Sequence, residues 1–121
     1  MSAVEASVMS LVNAMGTALS GMNAAAAQMT MAASNVANMD SRGYKAGRVN
    51  LAENAEGGVR VDSVTTDPSP GEMDDQGQEG SNVDPAQEVV GMMLAKFSYS
   101  ANAKVVKTVD DMMGTILDAK G

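Results

Sequence analysis

An unbroken heptad of apolar residues runs through the first third of the chain and limits the folds open to it. The residues recur at alternating spacings of four and three from Val4 to Val36. Side chains with this spacing line one side of a helix and favour a left-handed supercoil with a partner helix. The pattern therefore predicts a long first helix that cannot bury its apolar side alone. Its members are Val4, Val8, Leu11, Met15, Ala18, Met22, Ala25, Met29, Ala32 and Val36.

A second apolar stripe widens this side of the helix. It lies one residue beyond every other member of the heptad and consists of Val12, Leu19, Ala26 and Ala33. An apolar surface this wide exceeds what a two-stranded seam uses. We therefore expect the first helix to have two neighbours.

Two glycines, Gly16 and Gly21, fall inside the predicted first helix beside Thr17 and Ser20. Each glycine weakens a helix interior by about 1 kcal/mol relative to alanine. Two interpretations are open: the helix bends or frays here, or the small residues allow another helix to approach closely.

The middle of the chain has the pattern of a hairpin followed by a loop. The first helix should end near Asn38, and Gly43 suits a backbone turn with positive φ. Two segments of extended character around a polar turn predict a β-hairpin at about 44–66. The Pro-, Gly- and acid-rich stretch 67–83 is typical of a linker with little order of its own.

A second long helix is predicted at about 85–119. Asp84 is a suitable N-cap, and Pro85 suits the first helical position. One side of this helix is apolar, with Val90, Leu94, Phe97, Ala101, Val105, Val109, Met112 and Ile116.

The expected fold is mainly α: two long terminal helices pack as a coiled-coil-like pair, joined by a small β-hairpin and an acidic loop. We expect one domain with an N-terminal helical segment at 1–39, a hairpin and loop at 40–84, and a C-terminal helical segment at 85–121.

Composition argues against catalysis and against a metal site. The chain has no His and no Cys, the usual residues for acid–base or nucleophilic work. Its 2 Tyr and 1 Phe, without Trp, leave little to anchor a dense core, whereas its 12 Met suit helix seams. We therefore predict no enzyme activity, no catalytic residues, no cofactor and no bound metal.

Charge and hydropathy argue against nucleic acid as a partner and against a membrane-spanning segment. The net charge is −7, and residues 61–95 contain acids but no base, so no basic stripe for nucleic acid is present. The uncharged stretch Ala6–Met39 is too rich in Ser, Thr, Asn and Gln to cross a membrane. Residues 1–41 lack Lys and Arg, so we expect no cleaved signal peptide.

Three motifs in order carry a family resemblance. The first motif comprises Ser20-Gly21, the stretch Asn35 to Asn38, and Gly43 to Lys45. The second motif comprises Gly57 to Val61 and Asp67 to Pro70. The third motif comprises Asn82-Val83, Glu88, and Tyr99 to Asn102. With them the chain resembles the bacterial flagellar rod and hook axial proteins, most closely the short proximal-rod proteins of the C type. It departs from the pattern at Ser41, where Thr is usual, at Phe97, where Arg is usual, and in a shortened stretch 70–81.

The resemblance implies a structural subunit of the flagellar basal-body rod that assembles helically with other rod proteins and with itself. It also implies export by the flagellar type III apparatus, without a cleaved signal peptide, to the periplasmic rod of the basal body. A non-polymerising coiled-coil adaptor is the alternative.

The residues predicted to set subunit contacts or register are Leu19, Asn35, Asn38, Gly43, Tyr44, Glu88, Phe97, Tyr99 and Asn102. For Asn35 and Asn38 a second interpretation is local capping of the helix end. Gly43 is expected to serve backbone geometry, and Tyr44 and Tyr99 either anchor an interface or supply bulk to a poor core.

Overall fold

Two long helices and one hairpin make up the fold. A computed structural model describes residues 1–120, with the backbone alone for Lys120. Helix α1 spans Ala3–Ala37, strand β1 Gly47–Glu53, strand β2 Val59–Thr66 and helix α2 Pro85–Lys120. The expected mainly α architecture is confirmed, as are the positions of both helices and of the hairpin.

Helix α1 is continuous over 35 residues. Its N-terminus is capped by Ser2, whose hydroxyl accepts a hydrogen bond from the Glu5 N–H at 3.1 Å. Asn38 caps the C-terminal end. The helix passes through Gly16 and Gly21 without interruption, as the heptad requires.

The heptad side of α1 forms the seam with α2. Ala18, Ala25 and Ala32 are buried along this line, and the larger members between them are half-buried. The two helices are antiparallel, because Gly21 lies against Asn102, whereas Asn35, nearer the end of α1, lies beside the same groove as Glu88, near the start of α2. The predicted helix pair is therefore present, with alanines at its closest approach.

The side of α2 that packs on α1 differs from the apolar side expected from the sequence. Of that set, Val109 is buried and Ile116 half-buried, whereas Val90, Leu94, Phe97, Ala101, Val105 and Met112 are exposed. The seam instead uses small and polar residues such as Ala95 and Asn102. Because an alanine seam brings the two backbones close together, it selects small partners and leaves the bulky side chains outside.

The hairpin lies along α1. Strands β1 and β2 are antiparallel, and their register runs from Gly47 opposite Thr66 to Glu53 opposite Val59. At the far end, the Val59 N–H donates to the Ser20 hydroxyl at 3.2 Å. Gly58 approaches Ser20 so closely that an added Cβ would lie 2.5 Å from the Ser20 Oγ. The turn therefore sits against the helix at a point where only glycine fits.

The loop between β2 and α2 is ordered, so the prediction of a linker with little order is wrong. Met73 and Glu79 form an antiparallel bridge, and the Gly80 N–H donates to the Glu72 carbonyl at 2.7 Å. At the tip, the Asp74 carboxylate accepts from the Gln76 and Gln78 N–H groups at 2.9 and 2.8 Å. These local hydrogen bonds fold an acidic segment whose Met73 side chain remains 63% exposed.

Candidate subunit interface

Asn35 joins the end of α1 to the hairpin. Its side chain is wholly buried. The amide Nδ2 donates to the Gly47 carbonyl at 3.0 Å, and Oδ1 accepts from the Gly47 N–H at 2.9 Å. The Tyr44 hydroxyl donates to the same Oδ1 at 2.9 Å. Asn35 thus pairs with β1 as a neighbouring strand would, and its contacts lie inside the chain rather than on another helix.

Glu88 ties the start of α2 to the same strand. Its carboxylate accepts from the Arg48 guanidinium at 2.6 Å, and the Glu88 side chain is 4% exposed. A buried carboxylate is tolerated where a charged hydrogen-bond partner compensates its lost hydration. Glu88 was predicted as a contact residue, whereas Arg48 was missed because nothing in the sequence connects positions 48 and 88.

We call Asn35, Tyr44, Gly47, Arg48 and Glu88 the anchor cluster. It brings α1, β1 and α2 together at one end of the helix pair. The cluster fixes where the hairpin sits on the helices, and therefore which helix surfaces stay uncovered.

Asn82 closes the loop onto the base of the hairpin. Its Oδ1 accepts from the Ala46 N–H at 2.7 Å, and its Nδ2 donates to the carbonyls of Asp67 and Ser69 at 2.9 and 2.8 Å. Asn82 belongs to a motif of the sequence but was assigned no role. The Asn82 side-chain amide thus provides a hydrogen-bond donor and an acceptor to backbone groups at the base of the hairpin, where no third strand is present to pair with them.

Gly43 makes the turn from α1 into the hairpin. Its φ is +67°, the region that favours glycine, and its N–H donates to the Glu79 carbonyl at 3.1 Å. The expected role in backbone geometry is therefore seen in the structure.

Lys45 and Glu79 hold the loop to this turn. The two side chains form an ion pair, and the Gly71 N–H donates to the same Glu79 oxygen at 2.8 Å. The Lys45 hydrogen bond, followed by that of Gly71, lowers the pKa of Glu79 below its ordinary value. The pKa of Asp67 is lowered as well, by hydrogen bonds from Ser69.

Asn38 and Asn102 form local hydrogen bonds. Asn38 Nδ2 donates to the Ser34 carbonyl at 2.9 Å, and Asn102 Nδ2 donates to the Ser98 carbonyl at 2.9 Å. Asn102 also packs on Gly21, where an added Cβ would lie 2.6 Å from its Nδ2. Close helix approach thus accounts for Gly21, whereas nothing lies within 4 Å of a Cβ on Gly16.

Leu19, Phe97 and Tyr99 point outward, away from the anchor cluster. Leu19 is 45% exposed, Phe97 74% and Tyr99 42%. Leu19 belongs to what we call the outer stripe of α1, which is Val12, Leu19, Ala26 and Ala33. Phe97 belongs to the outer stripe of α2, which is Val90, Leu94, Phe97, Ala101 and Val105. All members of both stripes are exposed.

Two grooves border these stripes. One lies between β1 and α2, with Val49 and Leu94 among its walls and Ala32 beneath them. The other lies between the two helices and is lined by Ala26, Ala33 and Tyr99 among others. Uncovered apolar stripes beside open grooves are typical of surfaces that bind other proteins.

The described residues contain no helix long and apolar enough to cross a membrane. Within residues 1–119, whose side chains are described, no group of three or more Asp and Glu residues is arranged to hold a metal ion.

Comparison with known proteins identifies the family of the chain. Residues 15–45 match the family model described as flagella basal body rod protein, and residues 75–119 match the C-terminal model of the flagellar basal body rod FlgEFG proteins. The chain is 34% identical to the flagellar basal-body rod protein FlgC of Buchnera aphidicola over 128 residues, covering 87% of this chain and 94% of the relative. It belongs to the flagellar basal-body rod protein family.

Other members support the same assignment. The FlgC protein of Escherichia coli O6:H1 is 34% identical, with 87% of this chain and 94% of the relative covered. The longer rod protein FlgG of Agrobacterium fabrum matches 49% of this chain at 37% identity, and only 22% of its own length is covered. The chain is therefore a structural subunit of the flagellar basal-body rod, and the segments matched by the family models contain Asn35, Tyr44 and Glu88 of the anchor cluster.

Proposed function

We propose that the chain builds the rod by packing the outer stripes of its two helices against copies of itself and against other axial proteins. The observation that carries this proposal is the set of bulky apolar side chains that α2 leaves outside the helix pair, Phe97 and Leu94 foremost. A chain with this much uncovered apolar surface gains free energy by burying it in an assembly.

The surface of α1 suits such packing because it is uncharged beyond Glu5 in the first turn. No charged residue lies between Glu5 and Asp40. An approaching helix therefore loses no ion hydration when it covers the outer stripe of α1. Heterologous contacts of this kind continue along an axis instead of closing into a dimer, as a rod requires.

The anchor cluster keeps the hairpin off these stripes. Asn35 and Glu88 hold β1 at one end of the helix pair, and the bond from Val59 to Ser20 holds the turn further along α1. In our proposal the nine predicted contact residues divide into two groups. Leu19, Phe97 and Tyr99 touch neighbours. The other six shape the subunit that presents them: Asn35, Asn38, Gly43, Tyr44, Glu88 and Asn102.

We further propose that the chain leaves the cytoplasm through the flagellar export apparatus, retains its first helix and occupies the periplasmic part of the rod. Retention of the helix is supported by its packing, since Val8, Leu11 and Met15 are half-buried on the side of α1 that faces α2. We assign the subunit no catalytic role. Mass spectrometry of the N-terminus from purified basal bodies tests retention: a mature N-terminus beyond residue 15 would contradict it.

The assembly proposal is tested by placing a charge on the outer stripe of α1. Leu19→Glu should leave the subunit folded, since Leu19 is exposed, but should block packing because an unpaired charge would be buried between subunits. Asn13→Glu is the matched control, an exposed position on α1 outside the stripe. Both variants are expressed in a strain that lacks the native gene.

The expected result is helix content equal to wild type for both variants, but completed basal bodies and motility only with wild type and Asn13→Glu. Unfolding of Leu19→Glu would make the stripe part of the internal core, and normal rods with Leu19→Glu would exclude the stripe from subunit packing. Either result would contradict subunit packing through the outer stripe of α1.

A further inference from the structure

A groove between the two helices has the character of a socket for an aromatic side chain. It has a volume of about 510 Å³ and is lined by Ala26, Met29 and Ala33 of α1 and by Lys96 and Tyr99 of α2, among others. We call these five residues the socket. Ala26, Thr30 and Ala33 make up most of its α1 wall beside Met29, so there is room for a bulky group between these short side chains and the Tyr99 ring.

The most exposed bulky side chain that α2 offers is Phe97, the one phenylalanine of the chain. Successive helical residues are rotated by about 100°, so residues two apart point to nearly opposite sides of the helix. Phe97 therefore points away from Tyr99, although it lies on the same side of α2 as Ser100, which also borders the groove. Phe97 is not among the residues that line the groove, and its side chain is 74% exposed, so a subunit leaves its own socket unfilled.

The charge of the socket favours an uncharged aromatic group. Lys96 is the one charged residue that lines it, and within the described part of the chain Lys96 takes part in none of the ion pairs. A lysine ammonium is attracted to the face of an aromatic ring and repels an arginine or lysine placed in the same groove. The socket thus selects phenylalanine over a cationic side chain at the inserted position.

We propose that Phe97 of one copy inserts into the socket of a second copy, between Ala33 and Tyr99, with Lys96 against its ring. Phe97, the knob, is not part of the socket, so each copy engages one neighbour with its knob and another with its socket. Such a heterologous contact continues from copy to copy. The proposal rests on the assembly function above and names the residues of one lateral contact.

The absence of cysteine makes this contact directly testable by disulfide cross-linking of the full chain. A disulfide forms only when the two Cα atoms come within about 7 Å. Phe97→Cys and Ala33→Cys are made as separate proteins, mixed and oxidised, with Thr108→Cys plus Ala33→Cys as the control pair, since Thr108 is exposed further along α2.

The expected product is a dimer of twice 12.4 kDa that contains one chain of each variant. The protein with both substitutions should give a ladder of higher multiples. A dimer formed by Phe97→Cys alone in equal yield would show an isologous contact and overturn the proposal. A yield from the Phe97–Ala33 pair no greater than that from the control pair would overturn it as well.

Substitution of the knob itself gives an independent readout by sedimentation. Phe97→Arg should weaken self-association by at least about tenfold, because Lys96 repels the arginine cation. Phe97→Trp should retain self-association, because its aromatic ring still fills the socket. Equal self-association of the two variants would contradict the inserted ring. If the wild-type chain completes rods but the two cysteine variants give no Phe97–Ala33 cross-link, this inference fails while the proposed function stands. If the wild-type chain completes no rods, the proposed function fails whichever cross-links the variants form.

Discussion

At the scale of single residues, the roles of Asn35 and Asn82 follow from their hydrogen bonds to backbone groups that are distant in the sequence. Asn35 satisfies both the N–H and the carbonyl of Gly47, and Asn82 satisfies three backbone groups at the base of the hairpin. Both amides replace hydrogen bonds that a two-stranded sheet cannot supply. Their contribution therefore concerns the position of the hairpin, not the formation of the helices.

We predict that Asn35→Leu destabilises the isolated subunit by about 2–4 kcal/mol. The substitution removes the partner of the Gly47 N–H and of the Tyr44 hydroxyl and leaves the Gly47 carbonyl bonded only to Arg48. Each unsatisfied group costs about 1–3 kcal/mol. Asn38→Leu, which removes a local cap bond in a half-exposed position, should cost less than about 1 kcal/mol. Urea unfolding measures both, and equal midpoints for the two variants would contradict the internal role of Asn35.

The ion pair of Lys45 and Glu79 gives a prediction on pH. The pKa of Glu79 is lowered in the folded chain, so its contribution to stability is full above the ordinary value of 4.5 and is lost as the pH falls through the folded pKa. An NMR titration should find the Glu79 midpoint below 4.5 in wild type and nearer to it in Lys45→Met. Identical midpoints in the two proteins would mean that Lys45 does not hold the carboxylate.

At the scale of elements, the two glycines of α1 have different roles. Gly21 meets Asn102 across the seam, whereas Gly16 faces open space. Gly16→Ala should therefore stabilise the helix by up to about 1 kcal/mol through propensity alone. Gly21→Ala should fail to stabilise, because its Cβ displaces Asn102, and should recover in the double variant Gly21→Ala with Asn102→Ala. Thermal unfolding of the four proteins decides this, and a gain from Gly21→Ala alone would contradict the close approach.

The helices, the hairpin and the α1 side of the seam were predictable from the sequence. The heptad from Val4 to Val36 specifies the α1 side of the seam, because periodicity reports which residues share a side. The α2 side was not predictable, since apolar strength selects Leu94 and Phe97 whereas close packing on alanines selects Ala95 and Asn102. The ordered loop was missed for a related reason: its stability comes from hydrogen bonds of Asp74 and Glu79, which leave no hydrophobic pattern.

At the scale of the whole molecule, the subunit is a helix pair with a hairpin on one side and uncovered apolar stripes elsewhere. The anchor cluster links all these parts, so we predict that residues 1–39, 40–84 and 85–121 unfold together as one domain. Far-ultraviolet circular dichroism, which reports the helices, and an NMR signal of Gly47 in the hairpin should give the same urea midpoint. An earlier midpoint for the hairpin would divide the chain into two units.

The central claim is that the outer stripe of α2 is buried when the subunit enters the rod, and methionine oxidation reports on this directly. Met93 lies beside this stripe and is 66% exposed in the subunit, so oxidation should modify it readily in the isolated chain. In purified basal bodies we predict that Met93 is protected by at least about tenfold, as expected for a side chain buried at a subunit contact. Equal oxidation of Met93 in the rod and in the isolated subunit would contradict the account.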